Sequence, residues 1–314
     1  MNTAFLNTRQ AQLTDHPNRG YLAAGGGTPV VMLHSSLASK AQWSPLVMRM
    51  ARRFHAIAID LCGYGDNPAI DAGAAFTLDD EVKLVASRLD GLLASHARVH
   101  LVGHSYGGLV ALRFAQQKPE RVASLVLYDP VAFRMLDDND PALRAMKVVA
   151  TQIIDLVTAG RRNDAARAFV DIWNGKGAFA SLAAPVQGSI VRRIDKVAHD
   201  FHAAWRWPLD FADIRAIEAP TLLLAGNRSP MIAQRIVKSL GAELADRRIR
   251  WVDAGHMGPI TAAHRVNPWI EAFVDVRTAC DQLEARARID KAGEFDGATR
   301  SVEKERHDEH YQVI

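Results

Sequence analysis

Eight residues limit what this chain can fold into more than any other stretch: Leu101-Val102-Gly103-His104-Ser105-Tyr106-Gly107-Gly108. A largely apolar run, Val99 to Val102, enters it, and a helix-like run, Leu109 to Gln117, leaves it. A strand that turns this sharply into a helix forces the residue at the turn into a strained backbone conformation. It also leaves no room for a Cβ on either side, which is the physical reason for Gly103 and Gly107. Ser105 is thereby expected at the tip of a sheet, beside a helix N-terminus whose free N–H groups favour negative charge. An acyl-transfer nucleophile needs that setting. Gly-x-Ser-x-Gly by itself recurs by chance; the strand pattern before it and the helix pattern after it make it specific.

Strands and helices alternate on both sides of this turn. Tyr21-Leu22-Ala23 and Gln12-Leu13-Thr14 read as short strands joined by the turn-rich Pro17-Asn18-Arg19-Gly20. Pro29 to Leu33 is a continuous apolar run ending at His34-Ser35-Ser36, followed by a helix over Lys40–Phe54 and a strand over His55–Ile59. Leu78 to Leu93 is an amphipathic helix, and Val122 to Tyr128 is a strand ending at Asp129-Pro130. From Val131 to about Pro208 only helical patterns occur, including one started by Asp140-Pro141, one over Asn163–Trp173 and one over Val191–Trp205. The alternation resumes with a strand over Pro220–Gly226, a helix over Met231–Leu240 and a strand over Ile249–Val252. A final helix is expected to start at Asn267-Pro268 and run to about Ala287. The fold class is therefore α/β: a mostly parallel central sheet with helices on both faces and a helical cap insertion. The expected division is a core over 1–130 and 209–288, the cap over 131–208, and a charged tail over 289–314.

Of the 314 residues, 48% are hydrophobic and 23% charged, the balance of a globular chain. The formal net charge of +3 is spread along the sequence, and no Lys/Arg block is interleaved with aromatics, so a nucleic-acid partner is not expected. Two distant cysteines, Cys62 and Cys280, make neither a disulfide framework nor a metal site. His307 and His310 have helical ligand spacing but no further ligands nearby, so metal is expected at none of these positions. No secretory leader is expected from Met1–Leu6, and no apolar stretch is long enough to span a bilayer; the expected location is the cytoplasm.

In its motifs and their order the chain resembles the α/β-hydrolase superfamily, over about residues 20 to 275. The resemblance rests on His34-Ser35-Ser36, Asp60-Leu61-Cys62-Gly63-Tyr64-Gly65, Gly103-His104-Ser105-Tyr106-Gly107-Gly108, Pro220 to Gly226, and Gly255-His256. It implies a catalytic triad in the chain order Ser, acid, His. Ser105 is the nucleophile and His256 the base. The oxyanion hole takes the backbone N–H of Tyr106 and that of Ser36, whose hydroxyl is a further candidate donor. Many members carry the acid three residues after the glycine that ends the Pro220–Gly226 strand, but here that position is Ser229, which cannot stabilise an imidazolium. Asp129, after the strand following the elbow helix, is the alternative acid that the resemblance supplies, with Asp253 a weaker one.

The implied function is hydrolysis of a carboxylic ester, lactone or thioester of a small apolar substrate through an acyl-enzyme on Ser105. No metal or organic cofactor is called for. The small apolar ester-type substrate is the expected partner, and a homodimer is left open. Carbon–carbon bond hydrolases and cofactor-free perhydrolases use the same triad and stand as alternatives. A non-enzymatic ligand receptor that retains the pocket is a third. Haloalkane dehalogenases and epoxide hydrolases need a carboxylate at the elbow, where this chain has Ser105.

Overall fold

The computed structural model describes residues 14–16, 20–71 and 75–308. The strand expected at 12–13, the turn at 17–19, His310 and the side chain of His307 lie outside the described residues. Eight strands form one sheet in the order β1-β2-β4-β3-β5-β6-β7-β8. β1 (Thr14–His16) and β2 (Tyr21–Ala24) are antiparallel to their neighbours. β3 (Pro29–Leu33), β4 (His55–Ile59), β5 (Val99–His104), β6 (Val122–Tyr128), β7 (Thr221–Gly226) and β8 (Arg247–Val252) are parallel. β5, β6 and β7 are buried along their whole length, which is why they read as unbroken apolar runs. β8 closes the sheet with Arg247, Arg248 and Arg250 exposed, a charge row that discourages further strand pairing.

The helices of the first half are α1 (Ser44–Met50), α2 (Leu78–Leu92) and α3 (Tyr106–Gln117). Thr77 and Asp80 form a reciprocal capping box at the start of α2. Between β6 and β7 come α4 (Pro141–Thr158), α5 (Arg162–Asn174), α6 (Ala178–Ser181) and α7 (Ala184–Arg206), followed by the short α8 (Phe211–Arg215). The Asp140 side chain accepts from the N–H groups of Ala142 and Leu143, so Asp140-Pro141 starts α4. The insertion is held together by apolar and aromatic side chains: Phe133 stacks on Trp205 at 4.4 Å, and Phe201 lies 6.2 Å from both Phe133 and Phe169. α9 (Met231–Glu243), α10 (Gly258–Thr261) and α11 (Ala263–Asp308) complete the chain.

Three helices differ most from the sequence expectation; β8 and α9 extend two or three residues further, and α11 runs past Ala287 to Asp308. The Lys40–Phe54 helix is a 3-10 turn over Lys40–Trp43 and then α1, which stops at Met50. α7 starts at Ala184, seven residues before Val191, because Pro185 occupies the first turn, where a missing N–H breaks no bond. α11 starts at Ala263, with Pro268 inside it. Pro268 and His264 are both exposed, so the carbonyl that loses its donor faces water and the helix continues. The chain divides into two compact units, Met1–Glu271 and Ala272–Ile314. Residues 272–308 of α11 belong to the second. Among the described residues, no helix is long and apolar enough to cross a membrane.

The junction of β5 and α3 is closely packed, backbone against backbone. A Cβ on Gly103 would lie 2.4 Å from the Gly107 carbonyl oxygen, and one on Gly107 would lie 2.4 Å from that of His34 and 2.5 Å from that of Leu33. These obstacles are backbone atoms and cannot swing aside. Gly107→Ala should therefore destabilise the protein by at least about 2–3 kcal/mol, a fall in Tm of at least about 5 °C. Gly91→Ala in α2, whose Cβ would meet nothing within 4 Å, should be neutral or stabilising by up to about 1 kcal/mol. Thermal melts of the two variants beside the parent test this; equal melting temperatures would mean that the junction is not close-packed.

Candidate active site

The chain moves outward from β3 to β4 and then returns to place β5 on the other side of β3. Clefts form at such switch points, at the carboxyl ends of the strands. His34-Ser35-Ser36 follows β3, Ser105 follows β5, Asp129 follows β6 and His256 lies four residues beyond β8. The parallel register aligns these ends: Leu33 pairs with Gly103, and His104 with Tyr128.

Ser105 has φ 55° and ψ −116°, the strained turn that the flanking glycines permit. Only two other non-glycine residues described have positive φ: Leu37 at 63° and Asp129 at 43°. All three sit at this edge of the sheet. Each costs on the order of 1–3 kcal/mol, so the surrounding packing must impose them.

Ser105 Oγ lies 2.9 Å from His256 Nε2. On the other side of the ring, His256 Nδ1 lies 3.3 Å from Asp129 Oδ2. With Nδ1–H facing the carboxylate, the Nε2 lone pair faces the hydroxyl. Asp129 is fully buried and accepts two further hydrogen bonds, from the Gly226 N–H at 3.3 Å and from Ser229 Oγ at 2.5 Å. Ser229, at the position where the resemblance leads one to expect an acid, therefore donates to the Asp129 carboxylate. Gly226 allows this, since a Cβ there would lie 2.4 Å from Ser229 Oγ. Asp253 is half exposed and pairs with Arg228 and Arg265. Asp60 is also remote from the imidazole of His256: it accepts from the Lys40 backbone at 2.6 Å and its ammonium at 3.0 Å, and orders the neighbouring loop.

His256 is held from three further directions. His104 Nε2–H donates to the His256 carbonyl at 2.8 Å, and Tyr128 Oη donates to the Gly255 carbonyl at 2.8 Å. Trp173, from α5, stacks on the imidazole at 4.2 Å and 21°. Burial holds the His104 pKa well below its ordinary value. His104 therefore stays neutral, and no second cation opposes protonation of His256 5.4 Å away. His34, pushed down to about 4 by burial, is likewise neutral; its Nε2 accepts from the Leu61 N–H at 3.0 Å.

Ser36 and Tyr106 both border Ser105 in the same cavity, and among the described residues neither backbone N–H donates to another group. The Ser36 hydroxyl is already engaged, donating to Asp200 Oδ2 at 2.6 Å, which removes it as a donor toward the cavity. A cavity of about 410 Å³ opens over Ser105 and His256. Phe169, Val170, Trp173, Leu182, Val186 and Ile190 of the insertion line one side, and Leu37, Met257 and Ile260 of the sheet-edge loops and α10 line the other. A second cavity of about 20 Å³, lined by Val131, Phe133, Val197 and Phe201, shares Ser36, Ser105, Phe169 and Trp173 with the first. Asp200 and the imidazole of His256 are the only ionisable groups besides Tyr106 on either wall. Among the described residues, no group of three or more His, Cys, Asp or Glu side chains could hold a metal ion.

Comparison with known proteins places this geometry in a family. The profile of the alpha/beta hydrolase family matches residues 30–269. The chain is an α/β hydrolase. It is 22% identical to the (E)-2-((N-methylformamido)methylene)succinate hydrolase of Acinetobacter baylyi, over 85% of this chain and 98% of that one. It is 24% identical to the poly(3-hydroxyalkanoate) depolymerase of Ectopseudomonas oleovorans, over 87% and 91%. In fold it is similar to the enol-lactonase of Burkholderia xenovorans LB400, with a TM-score of 0.65 and 19% identity over 81% of this hydrolase and 95% of that chain.

The sequence brought Ser105, His256, Asp129, Ser36 and Tyr106 forward, and the fold gathers all five. It gave no role to His104, Tyr128 or Asp200, and placed Trp173 only among the insertion's core or lid aromatics. A histidine inside the elbow motif and a tyrosine just before Asp129 were visible, but what they hold is a backbone carbonyl some 150 and 127 residues away, respectively. Asp129→Asn should leave the protein folded and lower turnover about 10²–10⁴-fold. Because Ser229 Oγ touches the same carboxylate oxygen that faces His256, adding Ser229→Asp should restore part of the loss. Turnover numbers for parent, both single variants and the double variant test this, and near-parent turnover in Asp129→Asn would send the assignment elsewhere.

Proposed function

We propose that this hydrolase cleaves a carboxylic ester, lactone or thioester of an uncharged, largely apolar substrate through an acyl-enzyme on Ser105. The observation that carries the reading is the 2.9 Å contact of Ser105 Oγ with His256 Nε2 at the floor of a cavity whose walls are largely apolar, with neutral serine, threonine and asparagine side chains between, and bear no Lys or Arg. Ser105 Oγ attacks the acyl carbon as its proton passes to His256 Nε2. The carbonyl oxygen becomes an oxyanion facing the N–H groups of Ser36 and Tyr106. Collapse breaks the bond to the alkoxide or thiolate, which takes the proton from His256. Water then repeats the sequence: His256 removes its proton, the hydroxide adds to the acyl carbon, and Ser105 leaves with the proton returned. Asp129 holds the tautomer and opposes the imidazolium charge throughout.

The apolar walls support the choice of substrate. The relative from Acinetobacter baylyi is named for a succinate derivative, and a free carboxylate of that kind would find no cationic partner on the walls of the two cavities beside Ser105, only Asp200; Arg228, in a neighbouring cavity, is paired with Asp253. An unpaired charge in such a cavity is costly. The helices over the cavity act as its lid, and their aromatics set the preferred acyl chain.

The test is a series of neutral p-nitrophenyl esters of increasing acyl length, run with and without peroxide, followed by lactones and thioesters. Neutral esters are expected to turn over. The p-nitrophenyl hemiester of succinate should be at least about 10-fold less efficient than a neutral ester of the same length. Ser105→Ala should lose on the order of 10⁴-fold or more in turnover, together with fluorophosphonate labelling. Retained turnover in Ser105→Ala would overturn the reading. Activity that depended on peroxide would favour perhydrolysis instead.

A further inference from the structure

The proposed chemistry uses Ser36 only through its backbone, yet its side chain is tied into a buried ionic network that the triad does not require. Ser36 Oγ and Tyr64 Oη both donate to Asp200 Oδ2, each at 2.6 Å. The other oxygen of Asp200 receives the Lys196 ammonium, which also reaches Glu81 Oε1 at 3.0 Å. Glu81 Oε2 in turn accepts from the Cys62 N–H at 2.9 Å. Asp200, Lys196 and Glu81 are 4%, 5% and 0% exposed. Burial pushes the Glu81 pKa up. At Lys196 burial acts downward, but the two carboxylates outweigh it and raise the pKa, so the ammonium stays charged.

The network joins parts of the fold that are far apart in sequence. Asp200 and Lys196 lie one turn apart on α7, in the insertion, whereas Ser36, Tyr64 and Glu81 belong to the sheet-edge loops and α2. The loop after β3 is otherwise anchored from within the core: His34 by the Leu61 N–H, and Ser35 by Gln42, whose Oε1 accepts from both its N–H and its hydroxyl. Ser36 is thus the one member of this trio whose side-chain anchor comes from the insertion. The next residue, Leu37, has φ 63°, so the loop is strained directly after Ser36 and needs restraint there.

We propose that Asp200 is a positioning residue: by accepting the hydrogen bond of the Ser36 hydroxyl it fixes the strained loop so that the Ser36 N–H faces the oxyanion. A serine has one O–H to give. Directed at Asp200, it cannot turn into the cavity. Asp200 is itself on the wall of the smaller cavity, and alone its charge would oppose an oxyanion; the Lys196 ammonium beside it offsets that charge. This inference rests on the acyl-transfer reading of Ser105.

The experiment is a double-mutant cycle of Asp200→Asn and Ser36→Ala, with kcat and KM measured on a neutral p-nitrophenyl ester. In Asp200→Asn the amide oxygen must face Lys196, so the amide nitrogen faces Ser36 and the hydroxyl proton is released. Each single variant should lose about 10- to 100-fold in kcat, with KM within about twofold. The double variant should be no worse than the poorer single. Glu81→Gln removes a carboxylate from the same network without touching Ser36; it should lower Tm and keep the parental kcat. If Asp200→Asn does not fold, Ser36→Thr and Ser36→Ala carry the test, because threonine keeps the donated hydroxyl and should keep kcat while alanine loses it. The proposal is overturned if the two losses multiply, if Asp200→Asn or Ser36→Ala keeps the parental kcat, if Glu81→Gln loses as much as Asp200→Asn, or if threonine and alanine at position 36 behave alike. Failure of the acyl-transfer reading gives a different result: Ser105→Ala then remains active.

Discussion

The contact of Gly107 with the backbone of β3 is the constraint on which the rest of the site depends. It lets α3 begin directly against the carboxyl ends of β3 and β5, with Ser105 forced to φ 55° between them. The strain at Ser105 can persist only because the sheet on one side and α3 on the other are packed too closely to relax. Its consequence is directional. The hydroxyl is presented to the cleft, the N–H of Tyr106 at the start of α3 is left undonated, and His256 has a fixed target 2.9 Å away. Ser36 enters the same cavity because the glycine that avoids β3 also brings the loop after β3 close to α3.

The same sheet edge explains how the proposed acid, Asp129, can stand at the end of β6 and still reach His256. The imidazole of His256 is anchored through its own backbone: His104 from β5 and Tyr128 from β6 hold two consecutive carbonyls, those of His256 and Gly255. With the ring fixed by that route, any carboxylate whose oxygen comes to Nδ1 serves. The turn after β7 and the end of β6 are neighbours, as the 2.5 Å bond from Ser229 to Asp129 demonstrates. A serine after β7 then has a use, since it supplies a donor to an otherwise buried carboxylate.

Much of this was legible in the sequence because it rests on local patterns. The β5–turn–α3 unit follows from apolar runs and two glycines, and Asp140-Pro141 marks the start of α4 as a cap and a first helical residue. What was not legible depends on pairings across the chain. Nothing in the spacing of Lys196 and Asp200 distinguishes them from the solvated charges common on helices; only the tertiary fold shows that both face inward, toward Glu81 and Ser36. Trp173 reads as one more aromatic of the insertion, and only the packing of α5 over the sheet edge places it on His256. The start of α11 was misplaced for a related reason: a proline is tolerated inside a helix where the orphaned carbonyl is exposed, and exposure is not a local property.

The insertion therefore does more than shape a cavity. It presses Trp173 against the proposed base at one end of the reacting path and ties Asp200 to the proposed oxyanion loop at the other. Both contacts come from helices that also line the substrate cavity, α5 through Phe169 and Val170, α7 through Val186 and Ile190. A substrate that shifts these helices would move the proposed catalytic groups as well as apolar walls, so fit and rate would be coupled in this arrangement. The buried ions make the coupling rigid rather than elastic. Sliding α7 by even part of a turn would separate Lys196 from Glu81 in a medium where neither charge has water to replace its partner. The insertion is thus held in one register, and on the proposed acyl-transfer reading, chain preference is adjusted through side chains such as Phe169 and Val186 while the frame beneath them stays in place.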